Sequence, residues 1–380
     1  MPVDRILPDD VSKELIDLTR RIGAAELLPR AAAAEASHEF PAQAFATIGA
    51  AGLLGLPFPE QYGGAQLPYE VYLQVLEELA GAWFAVALGV SVHTLSVLPL
   101  WKHGTDEQRA RWLPEMAGGR QLGAFMLSEA EAGSDVASLR ATAVRDGDHY
   151  VLNGAKAWVS HAGVADFYTA MVRTGEAGPR GISCFLLPAG ASGIEVLAPE
   201  RKMGLNASPT CAVNLNDVRV PADHLIGAEG MGMTVALGAL TAGRLGIAAC
   251  ATGLAQAALD YAVAYAKSRE QFGKPIIAHQ GLAFLLADMA AGVGASRATY
   301  LDAARRHDLG RDVTAEAAIA KLTATDTAMR VTTDCVQLLG GIGYTKDLPA
   351  ERFMRDAKIT QIYEGTNQIQ RVVIAKHLLT

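Results

Sequence analysis

The segment QIYEGTNQIQ, residues 361–370, sets a carboxylate, Glu364, beside two apolar neighbours, Ile362 and Tyr363. Apolar flanks desolvate a carboxylate and raise its pKa, as a general base near neutral pH requires. Taken alone, such a glutamate reads more readily as a solvated side chain. Four further segments carry the residue types of a cofactor site. FMLSEAEAGSD, residues 125–135, ends an apolar run in Gly133, Ser134 and Asp135, where a glycine admits a ligand to the backbone and the polar groups orient it. A capped turn has the same letters. KAWVS, residues 156–160, sets Trp158 and Ser160 two apart, hence on one face of a strand. There an indole can pack on a planar cofactor while the hydroxyl bonds its edge; a core tryptophan beside a solvated serine is the plainer reading. REQFGK, residues 269–274, offers Arg269 and Phe272 to a pyrophosphate and an adenine. It also reads as a basic helix end that complements the macrodipole. QLLGGIG, residues 337–343, exposes backbone N–H groups to a phosphate or simply caps a helix with glycine. It is not G-x-G-x-x-G and no βαβ unit surrounds it, so a Rossmann site is unsupported.

The elements that must position these residues fall into three zones. Residues 1–122 are rich in Ala, Leu and Glu, with apolar residues at helical spacing, as in Tyr72, Val75, Leu76 and Leu79, and predict a helical domain. Residues 123–227 change character. Asp146-Gly147 and Asn153-Gly154 are hairpin-turn dipeptides flanking the short strand 149–152, with another expected over 155–160. Further apolar runs at 167–172, 182–187 and 213–220 complete a small β domain. Residues 228–380 are helical again, with helices expected over 246–267, 280–307 and 314–339, the last ending at Gly340-Gly341.

Composition bounds the partners. With 380 residues, half of them hydrophobic, the chain can fill two or three cores. Its charged fraction, 19%, is below the usual surface supply and suggests surface hidden between subunits. A formal net charge of −7 favours no polyanion. Cys184, Cys211, Cys250 and Cys335 form no C-x-x-C pair and read as buried thiols in a reducing, cytoplasmic setting rather than as a metal site. The first residues carry no secretory h-region, and the apolar stretch 245–266 is broken by Gln256 and Asp260, so no membrane span is expected.

Together and in order, these segments resemble the acyl-CoA dehydrogenase family, its short-chain members in particular. FMLSEAEAGSD, KAWVS, RKMGLNASPT, VRVP, GRLGIAA, REQFGK, QLLGGIGYT, ERFMRDAKI and IYEGTNQIQR recur at the family's spacing over nearly the whole chain, and IYEGT is the most specific. The resemblance implies an α+β protein: an N-terminal α-helical domain, a middle β domain and a C-terminal four-helix bundle. It implies noncovalent FAD, a homotetramer built as a pair of dimers, and electron-transfer flavoprotein as the electron acceptor in fatty acid metabolism. Phe125, Leu127, Ser128, Gly133 and Ser134 match the first flavin-contacting segment. Trp158 and Ser160 match the aromatic on the flavin and the hydroxyl at its N5. Arg269 and Phe272 match residues that reach a neighbouring subunit's FAD, Gln337 and Gly341 match contacts to its adenosine pyrophosphate, and Thr366 and Gln368 match FAD contacts after the base. Ser134, Arg244 and Gly365 match positions around the CoA thioester. His93 falls near the expected acyl pocket, but a core or interface histidine is the better reading.

In that family Glu364 would take the α proton while a hydride leaves the β carbon for the flavin. Some relatives carry the base on the helix near Arg244; here the residue before it is Gly243, which leaves Glu364 without a rival. Four positions depart from the common pattern: Ala130-Glu131 for Pro-Gly, Asn206 for Arg, and Thr241 for an Asp at the CoA end. The last leaves an acyl-carrier-protein thioester as the alternative substrate. A flavin monooxygenase on the same fold ranks lower because Glu364 is present, and a nucleic-acid-binding relative because of the net charge.

Overall fold

Among the described residues six α-helices come first: α1 (Asp10–Ile22), α2 (Leu28–Ser37), α3 (Ala42–Ala50), α4 (Tyr69–Ala82), α5 (Phe84–His103) and α6 (Asp106–Ala117). The computed structural model describes residues 3–379. Local signals set the ends of these helices. Asp9 caps α1, its carboxylate accepting from Ser12 N at 2.7 Å, and Thr105 with Gln108 forms a capping box on α6. α4 and α5 are buried on nearly every side, and α5 is apolar enough to cross a bilayer by length and composition, yet it is a core helix of this fold. Each fully buried Leu or Val there stabilises by about 1.5–3 kcal/mol.

The β domain is one eight-stranded sheet. Its strands are β1 (Gly123–Met126), β2 (Thr142–Asp146), β3 (His149–Ser160), β4 (Phe167–Arg173), β5 (Ile182–Pro188), β6 (Ile194–Val196), β7 (Thr210–Pro221) and β8 (Leu225–Ile226). The order is β6-β7-β3-β2-β4-β5-β8, and β1 pairs in parallel with β4. Gly147, at φ +63°, turns β2 into β3 as expected. Asn153-Gly154 does not turn the chain. β3 runs straight through it and pairs with β7, with the register slipping between Leu152 and Gly154. The reason lies across the ladder: Asn153 Nδ2 donates to Asp217 Oδ1 and its Oδ1 accepts from Asp217 N, both at 2.9 Å. The asparagine bonds its partner strand and the glycine absorbs a bulge.

The C-terminal helices are α7 (Gly232–Ser268), α8 (Gln280–Asp308), α9 (Thr314–Leu339), α10 (Ala350–Thr360) and α11 (Asn367–Leu378), with a short ribbon of β9 (Glu270–Gln271) and β10 (Lys274–Pro275) after α7. α7 starts at Gly232, well before the expected residue 246, with Gly232, Gly238 and Gly243 interrupting its sequence pattern. Two later glycines mark crossings. A Cβ on Gly246 would lie 2.4 Å from Ser91 Oγ on α5, and one on Gly253 would lie 2.2 Å from Glu77 O on α4. Glycine costs about 1 kcal/mol in a helix interior, offset here by closer packing. The helical, β and helical segments follow the expected order, and α7, α8 and α9 pack as the C-terminal bundle with α10 and α11 beside α9.

Candidate active site

Glu364 sits in the turn between α10 and α11. The turn is closed by Asn367 N donating to Gln361 O at 2.9 Å, and Thr366 caps α11 by accepting from Ile369 N at 3.2 Å. Glu364 has φ +50° and Gly365 φ +88°, two consecutive left-handed residues. A non-glycine residue there is strained, and such strain persists only where the surroundings impose it. Part of the residue is accessible, but Oε2 is shut from solvent and makes no hydrogen bond among the described residues. Burial pushes the carboxyl up to about 7, against the pull of the Lys321 and Arg244 cations.

The wall opposite Oε2 is α7. A Cβ on Gly243 would stand 2.2 Å from it, so the glycine makes the space the carboxylate occupies. Arg244, 5% exposed, leaves Nε without a partner among the described residues and is coupled to Glu364 by charge. The Tyr363 hydroxyl and Thr94 Oγ1 are likewise buried and unbonded. Tyr69 on α4 donates to Ala242 O at 3.2 Å, fixing α4 against this stretch of α7.

A second group gathers at the sheet. The backbone of Gly123 is held at both ends: its N–H donates to His93 Nδ1 at 3.1 Å and its carbonyl accepts from His161 Nδ1 at 3.0 Å. His93 is therefore a core histidine that anchors β1; burial pushes its pKa down to about 3, so it stays neutral. β1 leads through half-buried Phe125 and buried Leu127 to half-buried Ser128. Glu129 and Ala132 close a tight turn that presents Gly133 and Ser134 to solvent. A buried ion pair supports this turn. Lys156 Nζ lies 2.8 Å from Glu129 Oε1 and donates to Leu127 O at 3.1 Å, while Glu129 also accepts from Arg140 N and Ala141 N. Two residues on, the β3–β7 register slips between Lys156 and Val159 and Trp158 takes φ +61°. The bulge leaves the indole 60% exposed beside half-buried Ser160.

A third group lies at the far end of α7. Arg269 ends that helix and Phe272, 95% exposed, tips the β9–β10 ribbon. They line a cavity of about 550 Å³ with Tyr265, Leu338, Gly340 and Gly341. Gln337 is exposed on α9 and does not line it. Thr366 is half-buried and Gln368 exposed at the start of α11. The structure thus brings Arg269, Phe272 and Gly341 into one cavity, which Glu364 does not line. Sequence reasoning missed Lys321, Glu129 and Lys156; a lone lysine in an alanine-rich helix face was the available signal for Lys321.

The family models match in chain order. The acyl-CoA dehydrogenase N-terminal domain covers residues 9–120, its middle domain 124–218 and its C-terminal domain 230–379. An acyl-CoA dehydrogenase of Bacillus subtilis (strain 168) is 44% identical over 95% of this chain and 96% of its own length. A short-chain specific acyl-CoA dehydrogenase of Clostridium acetobutylicum is 40% identical over 96% and 97%. The butyryl-CoA dehydrogenase structure from Megasphaera elsdenii superposes with a TM-score of 0.97 at 38% identity, covering both chains in full. With three domains matched in order and relatives at 40% identity or more, this chain belongs to the acyl-CoA dehydrogenase family.

Proposed function

We propose that the chain carries out FAD-dependent α,β-dehydrogenation of a short acyl-CoA, with Glu364 as the base. The observation that carries the assignment is a buried, unbonded carboxylate oxygen on a strained turn.

The residues present fit FAD. An exposed indole on a bulge offers a face to a planar ring, and Ser160, Ser128 and the open turn at Gly133-Ser134 supply hydroxyls and backbone beside it. Nothing lies within 4 Å of the position a Cβ would take on Gly133 or Gly341, which leaves both approachable. Arg269, Phe272 and Gly341 would hold the adenosine half of the cofactor of a neighbouring subunit, with Gln337, Thr366 and Gln368 at its margins. FAD, when bound, supplies the acceptor for the hydride that leaves the β carbon.

The protein's part is proton removal, charge stabilisation and exclusion of water. Above about pH 7 the Glu364 carboxylate is ionised and takes the α proton. Negative charge then grows on the thioester oxygen. The Glu364 N–H has no acceptor among the described residues and is the donor suited to that oxygen. Arg244 and Lys321 keep the carboxylate from rising further in pKa. Phe125, Leu127, Ser134 and Gly365 would border the substrate and flavin edge.

Electron-transfer flavoprotein as acceptor, a homotetramer, a role in fatty acid metabolism and a cytoplasmic setting complete the proposal. Four free buried thiols suit a reducing compartment. Thr241, at the departure that raised a carrier-protein substrate, donates to its own helix at Leu237 O at 3.0 Å. Anaerobic bleaching of the flavin by a panel of acyl-CoA thioesters, each beside its carrier-protein counterpart, tests the function. Fast bleaching by short acyl-CoA supports it. Bleaching by the carrier-protein series alone, or by neither, overturns it.

A further inference from the structure

Lys321 is among the largest side chains with no accessible surface, and the mechanism above gives it no contact with substrate. It lies on α9 among Ala317, Ala320 and Ala324, all fully buried. Its ammonium donates to two neutral oxygens, Gly365 O and Asn367 Oδ1, each at 2.9 Å. One turn along, Thr325 accepts from Asn367 Nδ2 at 2.9 Å, and Asp326 accepts from Asn367 Nδ2 and Gln361 Nε2, both at 2.7 Å. One face of α9 therefore clasps the turn 361–367 at both ends and in the middle. The central grip is on the carbonyl of Gly365, the residue after the base. Gln370 Nε2 shares that carbonyl at 2.8 Å.

A buried ammonium without a contacting carboxylate is costly. Methionine would fill the space and glutamine would keep a donor, so packing alone does not call for a cation. Resting on the reading of Glu364 as base, we propose that Lys321 is its positioning residue: it pins the strained Glu364-Gly365 turn through the Gly365 carbonyl and supplies the positive field in which the carboxylate works.

The groups around the carboxylate leave few other sources of that field. Tyr69 and Tyr72 on α4, Cys250 on α7 and Tyr363 on the turn are all pushed up by burial and stay neutral. Arg244 on α7 is a second cation. Asp326 is paired with Arg371 at 3.2 Å. Lys321 is pushed down by burial to about 8, held up in part by Glu364. Losing its charge raises the pKa of the base, and the carboxylate then forms only at higher pH.

The test titrates the Glu364 carboxyl by infrared difference spectroscopy on FAD-loaded protein, the band being assigned by its loss in Glu364→Gln. Wild type should show a midpoint near 7. Lys321→Met should raise it by about one unit, and the acid limb of flavin bleaching by butyryl-CoA should move equally. Lys321→Arg should restore both. If Lys321→Met does not fold, Lys321→Gln keeps a donor without the charge and should show the same rise. An unchanged midpoint in the neutral variant, with Glu364→Gln inactive, overturns the role of Lys321 and leaves the base intact. Normal bleaching by Glu364→Gln overturns the reading of the base itself.

Discussion

Gly243 and Glu364 occupy one space: a Cβ on the glycine of α7 would stand 2.2 Å from Oε2 of the glutamate. Glycine at 243 leaves Oε2 its space, and a Cβ there would make the end of the Glu364 side chain shift.

Gly243→Ala should displace the carboxylate while leaving the flavin site alone. The helix itself gains from alanine by about 1 kcal/mol, so any loss of activity comes from the clash. We expect normal FAD content and a fall of about a hundredfold or more in flavin reduction, since misplacement by an ångström costs that much. Stopped-flow bleaching with butyryl-CoA reads it. A rate within threefold of wild type would mean that the carboxylate has room elsewhere.

Lys156→Met should destabilise the fold by about 3 kcal/mol, because it leaves Glu129 buried without its cation. The pair also predicts a pH dependence. Lys156 and the N–H groups of Arg140 and Ala141 hold the Glu129 carboxyl below its ordinary value, despite desolvation. Its contribution to stability is full above the ordinary carboxylate range and is lost as pH falls through the depressed value. Urea unfolding of wild type and variant between neutral and acid pH should show the gap closing on the acid side. A gap independent of pH would contradict the assignment of the charge.

Most of the architecture was legible because its signals are local. The Asp146-Gly147 turn, the last two long helices and the three zones follow from turn chemistry and periodicity. What was not legible depends on partners distant in sequence. Asn153-Gly154 has the letters of a hairpin and becomes a bulge because Asp217, 64 residues away, takes both ends of the asparagine. α7 hides its start because Gly232, Gly238 and Gly243 resemble breaks. Glu364 looked unremarkable by composition; its setting includes Gly243 across the space it fills and the charges of Arg244 and Lys321, which no window around residue 364 contains.

Arg269→Glu should weaken FAD retention and assembly together. The residue ends α7 and opens onto the 550 Å³ cavity with Phe272 and Gly341. If the cavity takes a neighbouring subunit's cofactor, ligand and assembly are linked, since FAD then binds only the associated state. Size-exclusion chromatography with light scattering should show a smaller species with low flavin, partly recovered by excess FAD. A fully loaded tetramer would reduce Arg269 to a helix-end cation.

The central claim is that Glu364 is the base, and Glu364→Gln tests it most directly. Glutamine keeps the size of the side chain and cannot accept the proton. In wild type the anaerobic flavin-reduction rate should rise with pH through about 7, where the buried carboxyl ionises. In the variant FAD content and thioester binding should be near normal, while the rate falls by about three orders of magnitude and loses that rise. A variant that reduces its flavin within tenfold of wild type, with the same acid limb, would place the base elsewhere.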